Sequence, residues 1–113
     1  MNAPIARSAR EVFAYRMKEA RRVLGMSQKK LGVAMGLPED VAGVRINRYE
    51  RAVHDCDTDT AQKMAKALGV SLAYLYAETD ELAEIIKEFT ALPIEDQRDV
   101  LATLRKKNSK KGS

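Results

Sequence analysis

Apolar side chains recur every three or four positions along most of this chain, which is the period of an amphipathic α-helix. No stretch of useful length alternates apolar and polar residues with the period of two that is typical of a β-strand. Residues that commonly begin and end helices flank these segments. The pattern therefore predicts an all-α fold without internal repeats.

The first two predicted helices have clear boundaries. Ser8-Ala9-Arg10-Glu11 is a capping box, and Gly25 ends the helix that follows it. Ser27 caps a second helix that runs to about residue 35 and ends before Gly36. The side chains expected to face inward are Phe13, Met17, Ala20 and Leu24 in the first helix and Leu31, Ala34 and Met35 in the second.

The third helix is predicted from Val44 to Arg51, and the segment before it has two interpretations. Pro38 suits the first turn of a helix, with Glu39 and Asp40 near its positive end. Gly43, in contrast, weakens a helix. Residues 37–43 therefore form either an added helical turn or a protruding loop.

Four further helices follow in the second part of the chain. Asp57 or Thr58 caps a fourth helix over about residues 59–68, and Ser71 caps a short fifth helix. Thr79 caps a sixth helix and Pro93 opens a seventh. The apolar stripes of these last two helices are Leu82, Ile85, Ile86 and Phe89, and Ile94, Val100, Leu101 and Leu104.

The formal net charge of +4 is unevenly distributed. Residues 1–51 hold 11 basic and 5 acidic side chains, residues 52–104 hold 4 and 11, and residues 105–113 hold 5 and none. A basic first part and an acidic second part suggest a polyanion-binding face and a separate face with another role. The alternative is ordinary surface charge that happens to segregate.

Several classes of protein find little support in the composition. The lone Cys56 excludes an internal disulfide and fits a reducing cytosol, and no stretch approaches the roughly 20 apolar residues of a membrane span. We therefore expect a cytoplasmic protein. With one histidine, no glycine-rich phosphate loop and no metal cluster, we expect neither catalysis nor a cofactor. His54 and Cys56 lack further ligands for a metal site, and Cys56 is interpreted as part of a loop, with a redox or intersubunit role as an alternative.

The feature that points to a particular family of proteins is a series of residues in a fixed order along the chain. It runs Arg21-Arg22-Val23-Leu24-Gly25-Met26-Ser27-Gln28, then Leu31, Gly36, Ile46-Asn47-Arg48-Tyr49-Glu50-Arg51 and Ala65-Lys66-Ala67-Leu68-Gly69-Val70-Ser71. This series resembles the helix-turn-helix domain of the Xre and lambdoid phage repressor family over about residues 12–77. The resemblance implies a five-helix DNA-binding domain, here followed by two additional amphipathic helices.

The resemblance also implies where bases are read. The helix around Ile46 would enter the major groove of double-stranded DNA. There arginine can bind guanine, asparagine can bind adenine, and valine can contact the thymine methyl group. The candidate base contacts, in order of preference, are Arg48, Arg45, Val44 and Asn47. The family pattern has about four fewer residues between Gly36 and Tyr49, so the longer turn affects which side chains meet the bases.

Other residues are assigned to the phosphate backbone or to the scaffold. Lysines in the first turn of the second helix oppose its dipole unless an anion binds there, although simple solvation is the alternative. The candidate phosphate contacts are Ser27, Gln28, Lys29, Tyr49 and Arg51, and Tyr49 packs in the core as an alternative. Arg21 and Glu50 match a buried salt bridge of the family. The family often has glycine where this chain has Ala52, so either that residue is strained by roughly 1 kcal/mol or the helix runs further.

The domain organisation follows from these assignments. Residues 1–7 are predicted to be a flexible arm, residues 8–77 the helix-turn-helix domain, residues 78–106 a helical extension, and residues 107–113 a basic disordered tail. The extension cannot bury its stripes alone, so we expect a homodimer interface formed by Leu82, Ile85, Ile86, Phe89, Val100, Leu101 and Leu104. The alternatives are a cap on the domain's own core and, in an antitoxin-like module, a surface for a partner protein. The chain is thus predicted to be a homodimeric transcriptional regulator that acts as a repressor.

Overall fold

The computed structural model describes residues 7–112, with side chains through residue 110. The predicted arm over residues 1–7 lies outside this range except for Arg7. Within residues 7–112 the chain forms α-helices, one 3-10 helix and connecting turns, without a strand. The helices are α1 (Ala9–Val23), α2 (Gln28–Ala34), α3 (Glu39–Glu50), α4 (Thr58–Leu68), the 3-10 helix (Leu72–Tyr76), α5 (Asp80–Thr90) and α6 (Ile94–Gly112). The prediction of an all-α fold is confirmed.

Short polar side chains begin the helices where the sequence predicts them. The Ser8 hydroxyl accepts from the Glu11 amide at 3.1 Å, and the Glu11 carboxylate accepts from the Ser8 amide at 2.8 Å. Asp57, rather than Thr58, caps α4 by accepting from the Thr60 amide at 2.7 Å. Ser27, Ser71 and Thr79 cap α2, the 3-10 helix and α5 in the same way. Each cap satisfies an amide that the helix itself leaves without a partner.

The core takes one large, fully buried side chain from each of the first five helices. These side chains are Met17, Leu31, Ile46, Met64 and Leu75. Two inward assignments were wrong, because Leu24 and Ala34 are exposed. Leu24 follows the last residue of α1, and Ala34 is exposed although Met35, the residue after it, is buried.

The helices α2 and α3 approach each other closely at one glycine. A Cβ atom placed on Gly32 would lie 2.6 Å from the Ala42 Cβ and 2.8 Å from the Ala42 carbonyl oxygen. Such distances are below van der Waals contact, so only glycine allows this helix pair its present separation. Gly36, with φ +93°, makes the turn between the two helices.

The lengthened turn of residues 37–43 forms an added helical turn. Pro38 precedes α3, and the amides of Val41 and Ala42 both donate to its carbonyl oxygen. Glu39 and Asp40 occupy the first turn, where carboxylates interact favourably with the helix dipole. The helix that contains Ile46 therefore begins five residues before the predicted Val44.

The helix α3 does not extend past its predicted end. It stops at Glu50, and Ala52 adopts the left-handed conformation with φ 58°. Alanine is strained in this region because its Cβ approaches the following carbonyl oxygen. Of the two alternatives predicted for this position, a strained Ala52 or a longer helix, the structure shows the strained Ala52.

Replacement of Ala52 with glycine should stabilise the fold. Glycine adopts a positive φ without the Cβ penalty, so we expect the free energy of unfolding to rise by about 1 kcal/mol. Ala34→Gly is the control, because Ala34 is helical and exposed, and the same change there should cost about 1 kcal/mol. Urea denaturation followed by circular dichroism measures both, and two changes of the same sign would contradict the strain.

A buried ion pair attaches α5 to the rest of the domain. Arg16 in α1 is almost fully buried, donates to the Ala77 carbonyl oxygen at 2.9 Å and lies 3.0 Å from an Asp80 carboxylate oxygen. Ala83 is buried in the core cluster, and Ile86 packs against that cluster. The first part of α5 therefore caps the domain core, as one of the alternatives for the extension proposed.

The helix α6 projects away from the domain. Gln97 donates to the carbonyl oxygens of Phe89 and Leu92 and so holds the turn from α5, but every residue from 101 to 110 is exposed. The Cα radius of gyration is 16.1 Å, against about 13 Å for a compact chain of this length. The prediction of a disordered tail over residues 107–113 is wrong for residues 107–112, which belong to α6. Ser113 lies outside the described residues. No proline interrupts this segment, and its lysines favour the negative end of the helix dipole.

Candidate nucleic-acid interface

One face of α3 is buried and the opposite face points to solvent. Ala42, Ile46 and Tyr49 anchor the helix in the core at helical spacing. On the outer side Val44, Arg45 and Arg48 are exposed, and Asn47 is half-buried at the edge. The four predicted base-contact residues therefore lie on the solvent side of a helix whose orientation the core fixes.

The arginines of α3, Arg45 and Arg48, make no direct ion pair with a carboxylate of residues 7–110. Hydrogen bonds with Thr60 are the main cause that lowers the pKa of Asp57, and Arg45 is near enough to that carboxyl to contribute. The two arginines line a cleft of about 340 Å³ together with Tyr49, His54 and Asp55. The Asp55 carboxylate instead binds Arg10 at 2.6 Å, and this hydrogen bond lowers the pKa of Asp55 below its usual range.

The start of α2 lies directly beside α3. A Cβ atom placed on Gly43 would be 3.7 Å from the Lys29 Cβ, which is ordinary contact. Ser27 and Lys29 are exposed, and the Ser27 hydroxyl accepts from the Lys30 amide at 3.0 Å. The Ser27 hydroxyl proton remains able to donate to an anion.

Lys29 has an acidic neighbour that the sequence did not indicate. Its ammonium nitrogen lies 3.6 Å from a Glu39 carboxylate oxygen, with the two side chains 59% and 78% exposed. An exposed pair of this kind contributes little to stability. Glu39 reaches Lys29 because α3 begins at Glu39, whereas the sequence left open whether this segment is helix or loop.

Glu50 is the centre of a buried polar cluster that joins three helices. Arg21 donates to both of its carboxylate oxygens, and the two side chains are only 13% and 3% exposed. Arg21 also donates to the Met26 carbonyl oxygen at 2.8 Å, and the Gln28 amide donates to Glu50 at 2.9 Å. The structure thus brings Arg21 and Glu50 together as a scaffold, and one N–H of Gln28 remains for a phosphate.

The two other predicted phosphate contacts differ in exposure. Tyr49 is buried in the core cluster, which favours packing among its two proposed roles. Arg51 is exposed at the end of α3. Arg51 therefore stays a candidate phosphate contact, and Tyr49 is assigned to the core.

Cys56 lies beside this face without the properties of a reactive thiol. It packs against the core cluster, and burial raises the pKa of the Cys56 thiol to about 12, with a further increase from Asp57 that Arg45 partly opposes. The thiol therefore stays protonated at neutral pH, and a protonated thiol is a poor nucleophile. This environment supports a packing role for Cys56.

The predicted dimer residues divide into two groups. Leu82, Ile85, Leu101 and Leu104 are exposed, and Ile86, Phe89 and Val100 are half-buried against their own chain. Ile86 contacts the core cluster and belongs to the cap that α5 forms. An apolar surface on α5 and α6 remains without a partner within the described residues.

Three structurally important residues, Gly32, Arg16 and Asp80, were not identified from the sequence. Gly32 interrupts a helix of good helix formers, and a glycine inside a helix often marks a close approach. Arg16 and Asp80 are 64 residues apart, and no local pattern connects them.

Between residues 7 and 112, no helix is long and apolar enough to cross a membrane, and no three potential ligand side chains form a metal site.

The fold and the exposed face of α3 define a class of protein. The chain belongs to the helix-turn-helix family HTH_3, whose pattern matches residues 17–75. The predicted resemblance to Xre-type regulators is confirmed.

Three relatives support this assignment. The chain is 33% identical over 81 residues to the HTH-type transcriptional regulator ImmR of Bacillus subtilis (strain 168), covering 65% of this chain and 61% of that protein. The crystal structure of the transcriptional regulator BswR matches with 38% identity and a TM-score of 0.76, covering 82% of this chain and 92% of that one. The hypothetical transcription factor NHTF from Neisseria matches with 28% identity and a TM-score of 0.63, covering 75% and 93%. The chain thus spans less than two thirds of the length of ImmR.

Proposed function

We propose that this protein is a homodimeric transcriptional repressor that reads the major groove with α3. The observation that carries the proposal is the outer face of α3, where Arg45 and Arg48 are exposed and unpaired among the described residues. An exposed arginine can bind the two acceptors of guanine in the major groove. Val44, one turn from Arg48, is suited to a thymine methyl group.

The start of α2 supplies the sequence-independent part of binding. Ser27, Lys29 and the second N–H of Gln28 lie at one helix end beside α3. Arg51 is exposed at the other end of the proposed interface, after the last residue of α3 and beside Lys18. Cationic and N–H groups of this kind bind phosphate oxygens and fix the register of the recognition helix on the duplex. Glu50 holds Gln28 and Arg21 and so keeps the two helices at a fixed relative position.

The extension formed by α5 and the first part of α6 faces away from DNA in this proposal. Acidic side chains outnumber basic ones between residues 78 and 104, and a surface of that sign is repelled by phosphates. Two copies joined through α5 and α6 would present two copies of α3 to half-sites ~34 Å apart, one turn of DNA.

An antitoxin-like module is the second candidate function. The exposed apolar residues of α5 and α6, including Ile85 and Leu101, favour it, because a partner protein can cover such a surface. DNA binding through α3 would then accompany protein binding. Light scattering of the purified chain separates the candidates, since a stable dimer supports the repressor and a monomer supports the module.

The Lys29–Glu39 pair provides the direct test of the phosphate contact. Lys29→Ala should weaken binding to every duplex and reduce the slope of log K against log salt by about one. Glu39→Gln should have the opposite effect and strengthen binding about twofold to fivefold, because Lys29 loses a competing carboxylate. Fluorescence anisotropy with unrelated duplexes at several salt concentrations measures both.

The matched control is Glu95→Gln, which removes a carboxylate from exposed α6. This change should leave duplex affinity within about twofold of the unmodified chain, because it lies outside the proposed interface. If Glu39→Gln and Glu95→Gln had equal effects, or if Lys29→Ala left the salt dependence unchanged, the placement of phosphate at α2 would be wrong.

A further inference from the structure

Two helices of the extension carry opposite charge beside their exposed apolar residues. The helix α5 has four carboxylates and one lysine, whereas α6 beyond residue 100 has five basic side chains and no acidic one. Within one chain these two surfaces do not meet, because residues 101–110 are exposed along their whole length. Of the α5 carboxylates, Asp80 pairs with Arg16 and Glu84 with Lys87, whereas Glu81 and Glu88 are exposed and form no ion pair among residues 7–110.

The apolar residues of α5 form a stripe with an acidic edge. Leu82, Ile85 and Phe89 follow helical spacing, and Leu82 and Ile85 are exposed. Glu81 and Glu88 lie four and three residues from Ile85, so both flank it on the helix surface. Both glutamates are exposed, and neither forms an ion pair within residues 7–110.

The apolar residues of α6 form a stripe with a basic edge. Leu101 and Leu104 are exposed on one side of the helix. Arg98 and Arg105 lie three and four residues from Leu101 and flank it in the same way. These arginines are exposed as well, and neither is paired with a carboxylate among the described residues.

We propose that α6 of one copy packs on α5 of a second copy, and that the exchange is reciprocal. In this arrangement Leu101 and Leu104 cover Leu82 and Ile85 of the second copy, while Arg98 and Arg105 meet Glu81 and Glu88. Pairing of α5 with α5 and of α6 with α6 would instead place like charges together, which is unfavourable. The inference rests on the proposed homodimer and specifies how its helices pair.

The stability of α6 gives an independent reason for such a partner. The helix has 19 residues and is about 28 Å long. Gln97 in its first turn holds it to the end of α5, whereas residues 101–110 are all exposed. A helix segment that stands alone in water is marginally stable, and most helical stability comes from packing of an apolar face. A second copy supplies that packing through a surface that every chain carries.

Charge reversal on each edge tests the pairing. Arg105→Glu places carboxylates opposite Glu81 and Glu88 and should weaken the dimer about tenfold, and Glu88→Arg should weaken it similarly by placing cations together. An equimolar mixture of these two variants should form a heterodimer whose affinity returns to within about threefold of the unmodified chain, because opposite charges meet again at both contacts. Sedimentation velocity over a range of concentrations measures the dissociation constants.

Lys106→Glu is the matched control, since it makes the same change in charge at the next position, about 100° around the helix from Arg105 and away from the Leu101 stripe. It should leave the dimer within about twofold of the unmodified chain. Circular dichroism checks that all variants fold. Equal effects of Arg105→Glu and Lys106→Glu, or no recovery in the mixture, would overturn the proposed pairing.

Duplex binding by the same proteins separates this inference from the proposed function. If the unmodified chain dimerises but charge reversal at Arg105 and Glu88 leaves the dissociation constant unchanged, the pairing of helices is wrong and the homodimeric regulator stands. If it is a monomer throughout, both the pairing and the homodimer are overturned, and a partner protein takes their place. If it dimerises as proposed but binds no duplex, the pairing stands and the proposed function falls.

Discussion

Gly32→Ala should lower the free energy of unfolding by about 2 kcal/mol and weaken binding to DNA at the same time. The new methyl group would lie 2.6 Å from the Ala42 Cβ and within 3 Å of its carbonyl oxygen and Cα. The overlap with backbone costs about 3 kcal/mol, and the higher helix propensity of alanine offsets about 1 kcal/mol. Because α2 and α3 must separate, the groups at the start of α2 lose their register with α3.

Gly36→Ala is the matched control for this substitution. No atom lies within 4 Å of a Cβ placed on Gly36, but its φ of +93° is unfavourable for alanine. We expect a loss of stability of about 1 kcal/mol and little change in duplex affinity of the folded protein. Guanidinium denaturation and anisotropy measure both properties, and a Gly32→Ala protein with unchanged stability and affinity would contradict the close contact of α2 and α3.

The elements of the fold could be predicted because their signals are local. The capping box at Ser8 and Glu11, the caps at Ser27 and Thr79 and the left-handed Gly69 each depend on residues within one helical turn. Periodicity then placed Met17, Ile46 and Met64 in the core. Neighbouring residues thus determine where the helices begin, where they end and which face is buried.

The remaining features depend on contacts between distant residues. The Arg16–Asp80 pair, the approach of Gly32 to Ala42 and the Lys29–Glu39 pair all join separate helices. The start of α3 at Glu39 could not be chosen over a loop, because Pro38 favours a helix and Gly43 weakens one. Leu24 and Ala34 fit the period of their helices, yet both are exposed, and it is Met35, the residue after Ala34, that is buried in the core.

The sequence predicted which residues belong to the candidate site but not which partners those residues contact. The family resemblance placed Val44, Arg45 and Arg48 on α3, and the structure leaves them exposed. It did not show that Gln28 donates to Glu50, or that Asp55 is held by Arg10 rather than by an arginine of α3. Those partners decide which cations are available to DNA.

Arg48→Ala should lower affinity for the preferred DNA site by about 1–3 kcal/mol and relax the choice of base at one position of each half-site. Arg48 is exposed on the outer face of α3 and is not paired within residues 7–110, so its guanidinium is available to guanine. The loss on unrelated sequences should be much smaller. Competition binding with single-base variants of the site measures the difference.

Lys29→Ala is the comparison for Arg48→Ala, because both remove one exposed cation. A phosphate contact carries no base information, so Lys29→Ala should weaken all duplexes equally. If the two variants behaved identically across the single-base variants, α3 would not be the helix that reads the sequence.

Selection of binding sites from random duplex DNA by the unmodified protein tests the central claim most directly. We expect an enriched motif with two-fold symmetry and half-site centres ~34 Å apart. The Arg48→Ala protein should lose the preference for one base at symmetric positions of the two half-sites. Enrichment of no motif at all, or of a motif that Arg48→Ala leaves unchanged, would contradict the assignment of α3 as the recognition helix.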